Sequence, residues 1–199
     1  MSYTDAVVDF LSKRQNLVLA LEIVDQLELV KDKFQIEFWL ALGEAMKTRL
    51  KRAKSKQWEI EMPDEADLCA NWVGCSLYPL TVSDDQYYLG VGFQQVTPDS
   101  GGYHFRYGIW WCDEVSKKAA AVKQARTLID KLAKEGFKSN NWWIGRKDTK
   151  LVPRGKDFML RMVTNKQALV DEMAQLLWEL FQDNCASIEA ANLALARVK

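Results

Sequence analysis

From Thr4 to about Lys54 the hydrophobic positions recur with a helical period: Phe34, Phe38, Leu42 and Met46 stand four residues apart, and Ile36, Trp39 and Leu40 widen the stripe. Asn16 and Asp32 carry the short polar side chains that cap helix starts. They predict a short first helix, a second over 17–30 and a third over 33–54. From Trp58 the period changes to two. Three runs, Cys75 to Val82, Tyr87 to Gln95 and Tyr103 to Trp111, are rich in aromatic and β-branched residues and predict strands. A tight turn at Asp84-Asp85 would set Val82 against Tyr87, Leu80 against Leu89 and Tyr78 against Val91. A longer turn through Pro98, Asp99, Ser100, Gly101 and Gly102 allows Gly90 to oppose Gly108. That register aligns Leu89 with Ile109, Val91 with Tyr107 and Phe93 with Phe105, so one face of the meander is apolar.

The helical period then returns. Ser116 is placed to cap a helix through Ala120, Ala125, Leu128 and Leu132 that stops at Gly136, and Asn140 to Gly145 reads as a further strand. After a polar loop with Pro153 and Gly155 comes the apolar run Phe158 to Val163. Thr164 or Asn165 then caps a last helix through Leu169, Met173, Leu177, Leu180 and Phe181. This order predicts an α+β fold, an antiparallel meander sheet packed against N-terminal, central and C-terminal helices. A single domain is expected, with a helical layer over 1–56, a sheet with an inserted helix over 57–163 and a C-terminal helix over 164–199.

The other face of the meander carries Tyr88, Gly90, Gly92 and Gln94 beside His104, Arg106, Gly108 and Trp110. Three glycines in adjoining strands leave a saddle, which either admits close packing by the chain itself or receives an inserted apolar side chain. On the second reading Tyr88, Gly90, Gly92, Gln94, His104, Arg106 and Trp110 form a surface for a protein partner. Trp110 on the thinner face also suits a homodimer contact.

Charge changes the picture only when it is mapped. The chain of 199 residues balances 27 basic against 27 acidic side chains, which removes the electrostatic case for a dedicated polyanion or membrane-surface binder. Yet residues 57–114 hold ten acids and one base, whereas residues 115–156 hold twelve bases and three acids. Within the basic stretch, Trp142 and Trp143 precede Arg146, Lys147, Lys150, Arg154 and Lys156. Such a set could stack a base and hold phosphates, which makes nucleic acid a second partner class. Alternation along a strand would put only one of the two tryptophans on the charged side. The run from Lys47 to Lys56 lies at a helix C-terminus, where cations complement the macrodipole.

Catalytic chemistry is thin. The single histidine, His104, leaves no His-rich metal site, and neither a phosphate-binding loop nor a nucleophile elbow occurs. No catalytic residue, metal ligand or cofactor is expected. Pro98-Asp99 and Asp148-Thr149-Lys150 imitate the letters of a PD-(D/E)XK nuclease signature, and a metal-dependent nuclease using Asp99, Asp148 and Lys150 stands as the alternative function, although a helix and almost fifty residues separate the two parts. Cys69, Cys75, Cys112 and Cys185 lack zinc or disulfide-framework spacing and read as reduced thiols. Asp5 and Asp9 stand where a secretory peptide would be cationic, and no run of 18 apolar residues occurs, so a cytoplasmic protein without membrane contact is expected. Leu151-Val152-Pro153-Arg154-Gly155 reads as a thrombin cleavage sequence, which the protease would cut only if the loop is free.

The Phe34 to Met46 helix with Phe38-Trp39, followed by Tyr87-Tyr88-Leu89-Gly90-Val91 and Tyr107-Gly108-Ile109, resembles the accessory C-terminal region that follows the nuclease core in bacterial PD-(D/E)XK superfamily proteins. The likeness covers about residues 30–112. It implies a non-catalytic recognition or regulatory module engaging a protein partner in bacterial or phage defence. It carries over no catalytic residue.

Overall fold

Nothing between Arg14 and Leu42 breaks a helix, and the segment is rich in Leu, with Glu and Gln. The computed structural model describes residues 3–70, 72–82, 86–96 and 104–198. In it, α1 (Tyr3–Leu11) and α2 (Arg14–Arg52) are separated by Ser12 and Lys13, the latter with an extended backbone. The two expected caps act otherwise. Asn16 Nδ2 donates back to the Phe10 carbonyl (2.8 Å), closing α1 rather than opening α2. Asp32 stays inside α2 because its carboxylate is engaged from afar, by the guanidinium of Arg154.

Five strands form one antiparallel sheet in sequence order: β1 (Trp58–Glu61), β2 (Gly74–Pro79), β3 (Leu89–Val96), β4 (His104–Trp111) and β5 (Trp143–Asp148). Leu89, Val91 and Ile109 are fully buried on the face toward the helices, and Tyr107 packs against the same core. Both expected registers move. In β2 and β3 the observed partner of Val91 is Leu77, not Tyr78. This one-residue shift turns Cys75 and Leu77 inward and leaves Leu80 exposed. Its cause is β1, which pairs with β2 and takes Tyr78 on the outer face, where its hydroxyl donates to Glu59 (3.2 Å). The proposed turn at Asp84-Asp85 and the turn through Pro98 to Gly102 lie outside the described residues. Between β3 and β4 the shift is two residues, Gly92 rather than Gly90 facing Gly108, so the faces are kept.

Ser116 caps α3 (Lys117–Ala120) by accepting from Ala119 N (3.1 Å). An extended Val122 then restarts the chain as α4 (Lys123–Lys134), and Gly136 leaves it with φ of +84°, a conformation that glycine adopts without strain. The last helix, α5 (Lys156–Leu195), begins eight residues before the expected cap at Thr164: the apolar run Phe158 to Val163 is its first turns. Asn165 marks a kink, and its Oδ1 accepts from Ala168 N (3.3 Å).

Helices α2 and α5 run in the same direction, since Glu37 meets Lys166 and, further along both, Arg49 meets Gln175. Between them and the sheet lies an aromatic cluster: Phe38 has its ring centroid within 6.4 Å of those of Trp39, Phe93, Phe105 and Phe158. At one end, Asn192 of α5 accepts from Leu89 N (2.8 Å) and donates to Leu89 O (3.1 Å). The β2 ladder stops at Leu77, so Asn192 satisfies strand groups that β2 does not reach. Among the described residues no helix is long and apolar enough to cross a membrane.

Candidate binding groove on the outer sheet face

Because the helices occupy one face, alternation delivers Gly90, Gly92, Arg106, Gly108 and Trp110 to the other. The glycines do not leave an empty saddle. Trp110 lies across them: a Cβ on Gly90 would fall 2.6 Å from its Cζ2, and one on Gly92 would fall 3.0 Å from its Cδ1. Tyr88 braces the indole edge-on, with ring centroids 5.8 Å apart. Trp110 Nε1 is buried and finds no acceptor among the described residues.

Beyond β4 the strand order brings in the second set of candidate residues. A bulge at Ile109/Trp110 makes Gly108 face Arg146 and Trp110 face Trp143, so residues three apart on β5 both project outward while Ile144 enters the core. The expectation of a single outward tryptophan is therefore corrected. Trp143 lies against Gly108, and Trp142, half exposed, precedes the strand and lines the same depression. Asn140 Oδ1 accepts from the backbone N–H groups of both (2.9 Å each), which holds the corner in place. From the opposite side comes Trp72, in a left-handed conformation (φ of +67°), with its carbonyl accepting from Gln94 Nε2 (3.2 Å). The result is a groove of about 780 Å³ between Trp72, Trp110, Trp142 and Trp143, with Glu61 at one side and Arg106 and Arg146 at the other.

The two arginines differ. Arg106 is almost fully buried; its Nε donates to Asp148 Oδ1 (2.9 Å) and its Nη2 stands 3.1 Å from His104 Nε2, which is itself 3.1 Å from Asp148 Oδ1. Burial alone would raise the Asp148 pKa, but the Arg106 hydrogen bond and charge, with His104 and Arg146 behind them, hold it below the ordinary value. Arg146 makes no side-chain hydrogen bond or ion pair among the described residues. Its pKa is lowered, first by burial and then by the nearby Arg106 charge, with Asp148 opposing. An anion placed beside it would favour the charged guanidinium and so oppose the lowering.

The other cations of the expected set do not join the groove. Lys147 faces the helices, with Nζ 4.3 Å from the Phe137 ring centroid; Lys150 and Lys156 are exposed outside it. Arg154 is bound to Glu28 (2.7 Å) and Asp32 of α2. Despite its sequence, the 151–155 loop is therefore expected to resist thrombin, because the Arg154 side chain must leave two carboxylates to enter the protease. The variant carrying Glu28→Ala with Asp32→Ala should be cut about tenfold faster or more, for a change of ~1.4 kcal/mol in loop opening, as followed on a denaturing gel. Equal rates for the two proteins would show that these ion pairs do not protect the loop.

Asp148, the acid of the nuclease-like letters, is committed to Arg106, and Asp99 lies outside the described residues. Among the described residues no three His, Cys, Asp or Glu side chains converge as a metal site requires. Burial raises the thiols of Cys75 and, with Glu189 beside it, Cys185 to about 12, and raises that of Cys112, so all three are protonated and poorly nucleophilic at neutral pH. Trp72 was not anticipated, since an isolated aromatic in irregular chain carries no periodic signal. Compared with known proteins, the chain matches no family model, no curated protein and no solved structure.

Proposed function

We propose that the protein is a non-catalytic binding module and that the outer-face groove receives a segment of a protein partner. The observation that carries this reading is that four tryptophans and a half-buried Arg146, which has no ion pair among the described residues, line one groove. Trp and Arg are the side chains that dominate interface hot spots, because each presents much rigid area for little lost freedom. The partner segment inserts an apolar or aromatic side chain among the rings and sets a carboxylate on Arg146. Glu61 and Glu59, both projecting outward from β1, discourage a polyphosphate track along the same face. The likeness to accessory regions of nuclease-superfamily proteins supports the same class of role and suggests a defence-system setting.

Selection from a random peptide library against the full chain tests the proposal. Enriched peptides should combine an aromatic or large aliphatic residue with a nearby acid, and their affinity should fall about tenfold or more, ~1.4 kcal/mol, for Arg146→Glu and for Trp142→Ala. Peptides that bind both variants as well as the original chain would place the site elsewhere. Single-stranded homopolymers provide the contrast: tight binding to them, weakening steeply with salt and lost in Arg146→Glu, would replace the protein partner with a nucleic acid.

A further inference from the structure

Of the 22 large apolar side chains that are exposed among the described residues, 14 lie between Tyr3 and Val30, on α1 and the first half of α2. No residue of α1 is buried, and the first buried residue of α2 is Gln35. On a helix of about 3.6 residues per turn, Leu17, Leu19, Ile23, Val24, Leu27 and Val30 occupy one uninterrupted arc of less than half the circumference. No charged residue falls within that arc over 17–30. Glu28, at its edge, is already neutralised by Lys31 and Arg154.

We infer that this arm is a self-association surface whose occupant is the same arm of a second copy. Three features select that occupant. The six arc side chains, about half exposed, present on the order of 500 Å² of apolar area, near the upper end for the largest patch of a typical monomer, and the other eight exposed apolar side chains of the arm bring the total to what one partner contributes to a standard interface. An arc free of charge meets its own copy without opposing like charges, and an apolar, charge-poor centre is the mark of permanent homodimers rather than of transient contacts. The third feature is sign: residues 3–30 carry five acids against two bases, which repels the anionic surfaces that basic amphipathic helices bind. Two arms laid together make a helical bundle in which α2, apolar on more than one side, covers itself.

Sedimentation of the full chain at micromolar concentration tests the inference. A dimer or higher closed oligomer is expected, with self-association weakened about tenfold or more in the variant carrying Ile23→Glu and Leu27→Glu. Because those residues lie outside the buried core, the variant should keep the thermal midpoint of the sheet region. A second variant, Leu193→Glu, changes a still more exposed apolar residue outside the arm and should sediment as the original chain does. A monomeric original chain, an oligomer unaffected by the double substitution, or an original chain that binds phosphatidylglycerol vesicles as a monomer would each overturn it.

Discussion

Gly108→Ala is expected to cost about 3 kcal/mol, the upper range for overpacking a closed site, and to lower the melting midpoint by roughly 6–12 °C for a chain of this size. The added Cβ would stand 2.2 Å from Gly145 O, 2.9 Å from Arg146 Cα and 2.9 Å from Trp143 Cε3. Two of these atoms belong to the backbone of β5 and cannot rotate away, so the strand must shift or the bulge must be lost. Either change moves Trp143 and Arg146, so the variant should lose peptide binding as well as stability. Gly43→Ala is the contrast. There the three atoms nearest the Cβ all belong to the flexible Met62 side chain, the first at 3.0 Å, and alanine favours the helix, so the melting point should barely change. A Gly108→Ala protein melting with the original would mean that β4 and β5 are not so closely apposed.

Phe38→Ala should be costlier still, about 3–5 kcal/mol. The ring is fully buried and meets four other aromatics contributed by α2, β3, β4 and α5, so its removal opens a cavity that no single element can collapse to fill. Urea denaturation is the suitable measurement, with the midpoint falling at an unchanged slope. Leu193→Ala, at a position 72% exposed, should cost under about 0.5 kcal/mol. Comparable losses at the two sites would place the stabilising core somewhere other than beneath the sheet.

The residues that made the α+β architecture legible are those whose neighbours are local. Phe38, Leu42 and Met46 announce their helix by spacing alone, as Val91, Phe93 and Ile109 announce strands. Register was not local. It depended on β1, a four-residue strand with two glutamates that alternation alone scarcely distinguishes from loop, and its pairing with β2 moved Leu77 into the position expected of Tyr78. The groove was half visible: its Trp110 and its Trp142-Trp143-Arg146 components were each identifiable as candidate surfaces, yet only the neighbouring of β4 and β5 across an intervening helix makes them one. Sequence distance misled in the other direction for Lys147 and Arg154. Their positive charge suggested a patch, whereas strand parity sends one to Phe137 and α2 claims the other.

The hydrogen bonds between Asn192 and Leu89 span 103 positions of chain. During synthesis, then, the first residue of the central strand waits for Asn192 to emerge, 103 residues later, before its native side-chain partner exists. Until that moment this corner of the nascent sheet lacks its brace, which the C-terminal turns of α5 then supply.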